Sequence, residues 1–299
     1  MTAQCGMAIP FLSQEVHSAP LPSATVLVLR DGSTGLEVLM VRRHGNAGVL
    51  GGVHVFPGGK LDAADGQVAA GALDLTPQAC VARLAESALS ADEAVALHVA
   101  ALRETWEEVE LVLGMDAWTR SRQQSLEERI GQDQDWAAAM QTEARRIPVS
   151  ALVPWSRWIT PRLPSVSSKR FDTRFFLARL PSGQTARHDG HEATEAVWLS
   201  PRDALERFWA DDIELAPPQI MSLVALSRFR DVDAALAHAQ GRRPPLIEPH
   251  PFDRDGCRVI CYPGDPEHPV SEPAWQGPTR LTYRNRRFEP DGGLAALLA

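Results

Sequence analysis

The sequence predicts an α/β fold, and two observations support this prediction. Short runs rich in β-branched and apolar residues occur early and late in the chain, at 24–30, 36–42 and 171–180. Between them lies a long amphipathic segment in which apolar residues recur at steps of three and four positions from Val95 to Leu113. Strands therefore alternate with helices along the chain, as α/β architectures require.

Length and composition limit the class of protein. The 299 residues are 44% hydrophobic and 23% charged, a composition typical of a chain with a large buried core. No apolar run approaches the roughly 18 residues of a membrane span, so we expect no membrane partner. The net charge of −8 is opposite in sign to a nucleic-acid-binding surface, so we expect no nucleic-acid partner either.

The first elements predicted are a hairpin and a third short strand. Residues 24–30 and 36–42 flank the turn sequence DGSTG at 31–35, which favours a hairpin. The third strand, VHVF at 53–56, is stopped by Pro57, which lacks a backbone donor, and by the Gly-Gly pair at 58–59.

The long helix has the clearest start signal in the chain. Ser90 with Glu93 three residues later fits a capping box, and Gly114 is the predicted stop. Upstream, the Ala-rich stretch 66–89 is compatible with helix, with Thr76 and Pro77 as cap and first-turn residue.

The later elements continue the alternation of helices and strands. The predicted order is a helix at 134–146, strands at 151–159, 171–180 and 195–199, a helix from Pro201, a helical stretch from Pro217 to about Gln240, and a late pair of strands in CRVICY and RLTYRNRRFE.

Three carboxylates lie on one side of the long helix. At 100° per residue, Glu104, Glu107 and Glu108 fall in one sector, roughly opposite the apolar stripe. Taken alone, such a cluster is more often a solvated face. However, clustered carboxylates repel one another unless a cation is bound, and Mg²⁺ or Mn²⁺ prefers oxygen ligands. With the glycine pair at 58–59, whose backbone permits close approach, the pattern favours a pyrophosphate site.

These residues resemble the Nudix box, G-x5-E-x7-R-E-U-x-E-E-x-G-U, where U is a bulky apolar residue. Gly59 matches its opening glycine, Asp65 stands where Glu is usual, and RETWEE at 103–108 matches R-E-U-x-E-E. The arginine expected at 73 stands at 103, so about 30 residues are inserted within the box. Glu110 replaces the final glycine, and Gly114 is expected to end the helix instead.

The resemblance extends over about residues 22–240 and implies a Nudix-type α/β/α sandwich with a mixed sheet. It implies a Nudix domain at 20–240 with a helical insertion at 66–97, and a C-terminal extension at 241–299 packed on the same domain. We expect the insertion to pack near the mouth of the site and to influence specificity.

A box split in this way is similar to one branch of the superfamily, which includes the peroxisomal coenzyme A diphosphatases. The branch's coenzyme A signature upstream of FPGG is retained in part: Leu39, Met40, Arg43, Gly52 and Phe56–Gly59 fit, whereas Val41, His44 and Gly48 depart from it. Coenzyme A or acyl-coenzyme A is therefore the first expectation for the substrate, ahead of ADP-ribose, another dinucleotide or a nucleotide sugar.

The resemblance implies metal-dependent hydrolysis of a diphosphate linkage, with Mg²⁺ or Mn²⁺ as cofactor. It implies Glu104, Glu107 and Glu108 as metal ligands, Glu108 most firmly, with the Gly59 carbonyl as a further ligand. Glu104 is alternatively the base, or orients it. Arg103 is expected to hold the carboxylates by ion pairing.

Other residues are candidates with a weaker basis. Arg43, Lys60 and the backbone of Gly58 are expected to contact phosphates, although a surface role suits the two cations equally well. Glu192 or Glu195, in HDGHEATEAVW, is a possible extra carboxylate of the site, against the commoner alternative of a solvated loop acid.

Three further expectations concern function class and context. A non-catalytic Nudix-fold ligand sensor is the alternative to an enzyme, motivated by the departures at Asp65 and Glu110. Four scattered cysteines and the lack of a signal-peptide pattern predict a reducing, cytoplasmic location. The sequence leaves a homodimer open.

Overall fold

A computed structural model describes residues 11, 14–44, 52–132, 134–163, 169–188 and 193–299. Its strands are β1 (Leu21–Gly32), β2 (Gly35–Arg43), β3 (His54–Val55), β4 (Gly58–Lys60), β5 (Val153–Ile159), β6 (Phe171–Arg179), β7 (Ala193–Leu199), β8 (Leu246–Ile247), β9 (His250–Arg254), β10 (Cys257–Cys261), β11 (Arg280–Arg284) and β12 (Arg287–Glu289). Its α-helices are α1 (Pro77–Leu84), α2 (Ala91–Val109), α3 (Arg120–Ile130), α4 (Trp136–Glu143), α5 (Pro201–Trp209), α6 (Pro217–Leu226), α7 (Val232–Gln240) and α8 (Gly293–Leu298).

The strands form two sheets. The larger one has eight strands in the order β3-β2-β1-β6-β5-β8, with β4 also paired to β1 and β7 to β2. It is mixed, because β1 runs parallel to β6 whereas β1 and β2 are antiparallel. The smaller sheet is antiparallel, in the order β12-β11-β10-β9. The predicted α/β class with a mixed sheet is confirmed.

The central strand β1 separates two apolar cores because its side chains alternate between the faces of the sheet. Val26 and Val28 face the cluster that contains α2, whereas Leu27 and Leu29 face the cluster that contains α5, α6 and α7. Helices therefore cover both faces of the large sheet, which gives the expected α/β/α layering.

Helix α2 starts where the sequence predicts and ends earlier than predicted. The Ser90 hydroxyl accepts the backbone N–H of Glu93, and the Glu93 carboxylate accepts that of Ser90. At the other end Glu110 takes the left-handed conformation, with φ 57°, and its N–H donates to the Trp106 carbonyl. Glu110 thus fills the capping role of the missing glycine, and the prediction that Gly114 is the stop is wrong.

The segment between the two halves of the box contains helix α1 and the start of α2. Thr76 caps α1 as predicted, and its hydroxyl accepts the Ala79 N–H. Cys80 and Leu84 of α1 are buried in the same cluster as α2. Residues 91–97 form the first two turns of α2, so the inserted segment also supplies the start of the helix that bears the carboxylates.

The structure departs from the sequence prediction in three further elements. Helix α3 is not predicted, since Leu126 is its one buried residue and no apolar stripe marks it. The stretch from Pro217 to Gln240 forms two helices, because the chain breaks after α6 and Asp231 caps α7. The late pair of strands is a four-stranded sheet.

The C-terminal residues pack on the rest of the chain. Ile260, Tyr262 and Leu281 lie in the apolar cluster of α5–α7. Cys80 and Cys261 are free and buried, whereas Cys257 is disulfide-bonded. Among the described residues, no helix is long and apolar enough to cross a bilayer.

Candidate active site

Strand β4 brings the FPGG loop against β1 and α2. Gly58 and Gly59 pair with Thr25 and Ala24 of β1. Gly58 has φ 152°, and a Cβ there would strike the Ala24 carbonyl oxygen, so this position requires glycine. A Cβ on Gly59 would strike the Glu104 carboxylate of α2. The glycine pair therefore allows β4 and the acidic helix to approach each other closely.

Arg103 is the centre of the site. Its Nε and Nη2 each donate to Asp65, with both nitrogen–oxygen distances 2.9 Å. Nη1 donates to Glu104 at 3.0 Å and to Glu107 at 2.8 Å, and Nη2 also donates to the Lys60 carbonyl at 3.0 Å. This one buried guanidinium thus joins the loop after β4 to two carboxylates of α2.

The two halves of the box meet despite the insertion between them. Asp65 and Arg103 are 38 positions apart, yet they form a two-pronged ion pair in which Asp65 is only 2% exposed. Asp65 also accepts the backbone N–H of Asp62, which fixes its carboxylate. Asp65 therefore ties the segment after β4 to the arginine of α2, although about 30 residues are inserted between the two halves of the box.

The three carboxylates of α2 have different surroundings. Glu108 is buried and accepts the Gly58 N–H at 3.2 Å. Glu104 is largely covered and lies against Gly59, whereas the Glu107 side chain is 43% exposed. The exposure of the carboxylates beside the loop thus increases from Glu108 through Glu104 to Glu107.

The charges of the cluster affect one another's ionisation. Burial opposes the charged form of Arg103, but the Asp65 hydrogen bonds and the charges of Glu104 and Glu107 raise its pKa further above its usual value. Partial desolvation raises the pKa of Glu107, against the lowering effect of Arg103. Arg103 therefore stays charged throughout the physiological range.

The donor set suits a hard divalent cation. Three carboxylates and a backbone segment held close to one of them supply the oxygen ligands that Mg²⁺ and Mn²⁺ prefer. In the described part of the chain, however, no three His, Cys, Asp or Glu side chains already form a metal cluster. Glu104 and Glu107 each turn one oxygen toward Arg103.

The remaining candidates differ in exposure and in their partners. The Lys60 side chain is exposed at the edge of the site. Arg43 ends β2, and its Nε is buried with no partner in the described chain. Glu195 is half-exposed on β7, where its carboxylate lies 3.8 Å from His54, and burial, partly offset by Glu195, lowers the pKa of His54. Glu192 lies outside the described residues.

One charged cluster beside the site is missed by sequence reasoning. Glu86, which follows α1, accepts two hydrogen bonds from Arg174 of β6 and forms an ion pair with Arg157 of β5. Asp172 completes the cluster by accepting two hydrogen bonds from Arg157. The sequence feature that could have revealed this cluster is Arg174, a charged residue at an inward position of a buried strand.

Comparison with known proteins identifies the family. The family model described as the NUDT19 Nudix domain matches residues 76–226, just over half of the chain. The chain belongs to this Nudix hydrolase family. The match includes all three carboxylates of α2, whereas Gly59 and Asp65 precede it.

Individual relatives agree with this assignment. The chain is 27% identical over 310 residues to "Acyl-coenzyme A diphosphatase NUDT19" of Gallus gallus, covering 87% of this chain and 80% of the relative. It is 28% identical over 245 residues to the Homo sapiens protein of the same name, covering 70% and 65%. The match to the Xenopus laevis protein is 26% identical over 239 residues and spans 68% of this chain and 63% of the relative.

Among solved structures, a Nudix hydrolase from Alicyclobacillus acidocaldarius is similar with a TM-score of 0.55 and 27% identity. The similarity covers 74% of this chain and 97% of that one. The chain is therefore a Nudix hydrolase with additional sequence around the shared core. Of the two departures that motivated a ligand sensor, Asp65 pairs with Arg103 and Glu110 caps α2 in the left-handed conformation.

Proposed function

We propose that this protein hydrolyses the diphosphate linkage of coenzyme A or acyl-coenzyme A with Mg²⁺ or Mn²⁺. The observation that carries the proposal is the Arg103–Asp65 pair, which rejoins the two halves of the box and sets Glu104 and Glu107 beside the glycine loop. The chicken, frog and human relatives are named acyl-coenzyme A diphosphatases, which supports the choice of substrate.

The proposed ligands are Glu104, Glu107 and Glu108, with the Gly59 carbonyl as a further oxygen. Bound divalent ions would neutralise charge on the phosphates and lower the pKa of an attacking water. Glu108 is held by the Gly58 N–H, so its carboxylate keeps a fixed position relative to the loop. Alternatively, Glu104 is proposed to accept the proton of the water or to orient the base.

Arg103 acts in this proposal as a positioning residue. Two of its nitrogens are fixed by Asp65, so the third can hold one oxygen of Glu104 and one of Glu107 without itself moving. Three like charges on successive turns of one helix repel one another, and the guanidinium offsets part of that repulsion. The carboxylates are thus kept together before an ion arrives.

The substrate phosphates have two proposed cationic contacts. Arg43 retains the arginine of the coenzyme A signature, and its buried Nε has no partner in the described chain. Lys60 extends into solvent from the strand that carries Gly59. Glu195, beside His54, is a weaker proposal for an extra carboxylate of the site.

Other features of the chain remain proposals. They include the bounds 20–240 and 241–299 for the Nudix domain and its extension, a homodimer, and a cytoplasmic location. The insertion at 66–97 is proposed to shape specificity, since Glu86 ties the residues after α1 to β5 and β6.

The test is a product-resolved assay of the purified protein. Coenzyme A, acyl-coenzyme A, ADP-ribose, dinucleotides and nucleotide sugars are incubated separately with Mg²⁺ or Mn²⁺ and, as a control, with a chelator. We expect adenosine 3′,5′-bisphosphate and a phosphopantetheine product from the coenzyme A substrates, and none with chelator. Faster cleavage of ADP-ribose or a nucleotide sugar would overturn the substrate proposal, and cleavage insensitive to chelator would overturn the metal proposal.

A further inference from the structure

A large groove begins beside the candidate active site. Its volume is about 880 Å³, and it lies between the turn after α1, strands β5 and β6, and the C-terminal residues. Leu61 and Leu97 line the end near β4, and Leu246 and Val270 line the opposite end. Much of its wall is proline, leucine and alanine, so it suits an apolar or amphipathic ligand.

Strand register places the groove on the same face of the sheet as the Gly59 position. Gly59 pairs with Ala24, Ala24 with Arg174, Arg174 with Arg157, and Arg157 with Leu246. Side chains of directly paired residues lie on the same face of a sheet. Four strand spacings separate Gly59 from Leu246, which is roughly 19 Å.

The far end of the groove exposes apolar side chains to solvent. The large hydrophobic residues exposed in the described chain are Leu21, Leu246 and Val270. Leu246 and Val270 line the groove, and Leu21 lies between two of its lining prolines, Pro20 and Pro22. Such a concentration of exposed apolar surface around one groove is typical of a binding site.

The charged floor of the groove is neutral and internally paired. Arg174 and Arg157 form ion pairs with Glu86 and Asp172 at distances from 2.6 to 2.9 Å. These two guanidinium groups therefore face two carboxylates. Two further arginines of the lining, Arg242 and Arg243, are matched in number by Glu93 and Glu272, so the groove carries no excess positive charge. A phosphate that binds to Arg157 or Arg174 would have to displace a carboxylate that already pairs with it, which disfavours the phosphate end of a nucleotide there.

We propose that this groove binds the acyl-pantetheine arm of the substrate, with the acyl chain between Leu246 and Val270. The inference rests on the proposed coenzyme A substrate. The pantetheine arm is about as long as four extended residues, roughly 14 Å. Starting from a diphosphate at Gly59, it reaches the strand of Arg157, and an acyl chain continues to the apolar end. The inserted segment and the C-terminal residues thus form the two walls of the groove. Their contacts with the acyl chain would favour binding of acyl-coenzyme A over substrates without an apolar arm.

The experiment measures KM for free coenzyme A and for acyl-coenzyme A esters of increasing chain length. In the wild type we expect KM to fall with each added methylene until the groove is filled, by up to about fourfold per methylene. Leu246→Asn and Val270→Asn should flatten this dependence, with free coenzyme A as the internal reference. Both positions are exposed, so the variants should fold, and thermal unfolding checks this.

Ala295→Asn is the matched control, because Ala295 is exposed on α8, outside the lining of the groove, and should keep the wild-type dependence. A wild-type KM independent of chain length, or a dependence that survives in both groove variants, would overturn the groove assignment while leaving the diphosphatase proposal intact. Failure of the wild type to cleave any coenzyme A derivative would instead overturn the proposed function and the groove assignment with it.

Discussion

Replacing Asp65 by asparagine should destabilise the fold through Arg103. The substitution keeps the side-chain shape but removes the charge that faces Nε and Nη2 of a buried guanidinium. Removing one partner of a buried ion pair costs about 3–5 kcal/mol of unfolding free energy. Arg103 keeps Glu104 and Glu107 as partners, so we expect the lower end, about 3 kcal/mol. The unfolding entropy of a 299-residue chain is about 0.63 kcal/mol/K, so the corresponding fall in Tm is roughly 5 °C.

The assay is urea unfolding of the wild type, Asp65→Asn and the control Asp62→Asn. Asp62 also faces Arg103, but at 3.8 Å and with a mostly exposed side chain. Its contribution should therefore be no more than about 1 kcal/mol. If the two variants lose the same unfolding free energy, Arg103 is not held by Asp65 in the way described, and the rejoined box loses its physical basis.

Three further predictions concern the glycine loop and the long helix. Glu110→Gly should raise the unfolding free energy by about 0.5–1 kcal/mol, since glycine adopts the left-handed conformation at the end of α2 without strain. An unchanged urea midpoint would argue against this strain at Glu110. Gly59→Ala should lower kcat at least about tenfold, because a methyl group would displace the Glu104 carboxylate, and a wild-type kcat would contradict that packing. Burial lowers the pKa of His98 from 6.5 to about 4, so between these pH values the unfolded state binds more protons than the folded state. The unfolding free energy should therefore fall by about 2 kcal/mol as the pH drops from 7 to 5. In urea titrations, His98→Leu should remove that part of the pH dependence.

The sequence predicted the elements that have strong local signals. The capping box at Ser90, the Thr76 cap and the strands around 24–42 and 171–180 are all found in the structure. Each depends on residues within a few positions of one another, so local pattern suffices to find it. The family resemblance rested on a different signal, which is the order of residue types around Gly59 and around Arg103. Each half of the box keeps this order although about 30 residues are inserted between them.

What the sequence could not supply depends on contacts between distant segments. Helix α3 buries only Leu126, so no periodic pattern marks it. From residue type alone, Gly114 was predicted to end α2, whereas in the structure α2 ends at Glu110, which takes the left-handed conformation. The groove is formed where Glu86, Arg157 and Leu246 meet across three separate segments. No spacing rule links such residues before the fold is known.

The most direct test of the central claim compares Glu108→Gln with Glu110→Gln in the hydrolysis of coenzyme A with Mn²⁺. Glu108 is a proposed metal ligand held at the Gly58 N–H, whereas Glu110, two residues later, caps the helix through its backbone. We predict that Glu108→Gln reduces the rate to background with the fold retained, and that Glu110→Gln keeps near wild-type activity. Wild-type hydrolysis by folded Glu108→Gln would contradict the assignment of the active site to the rejoined box.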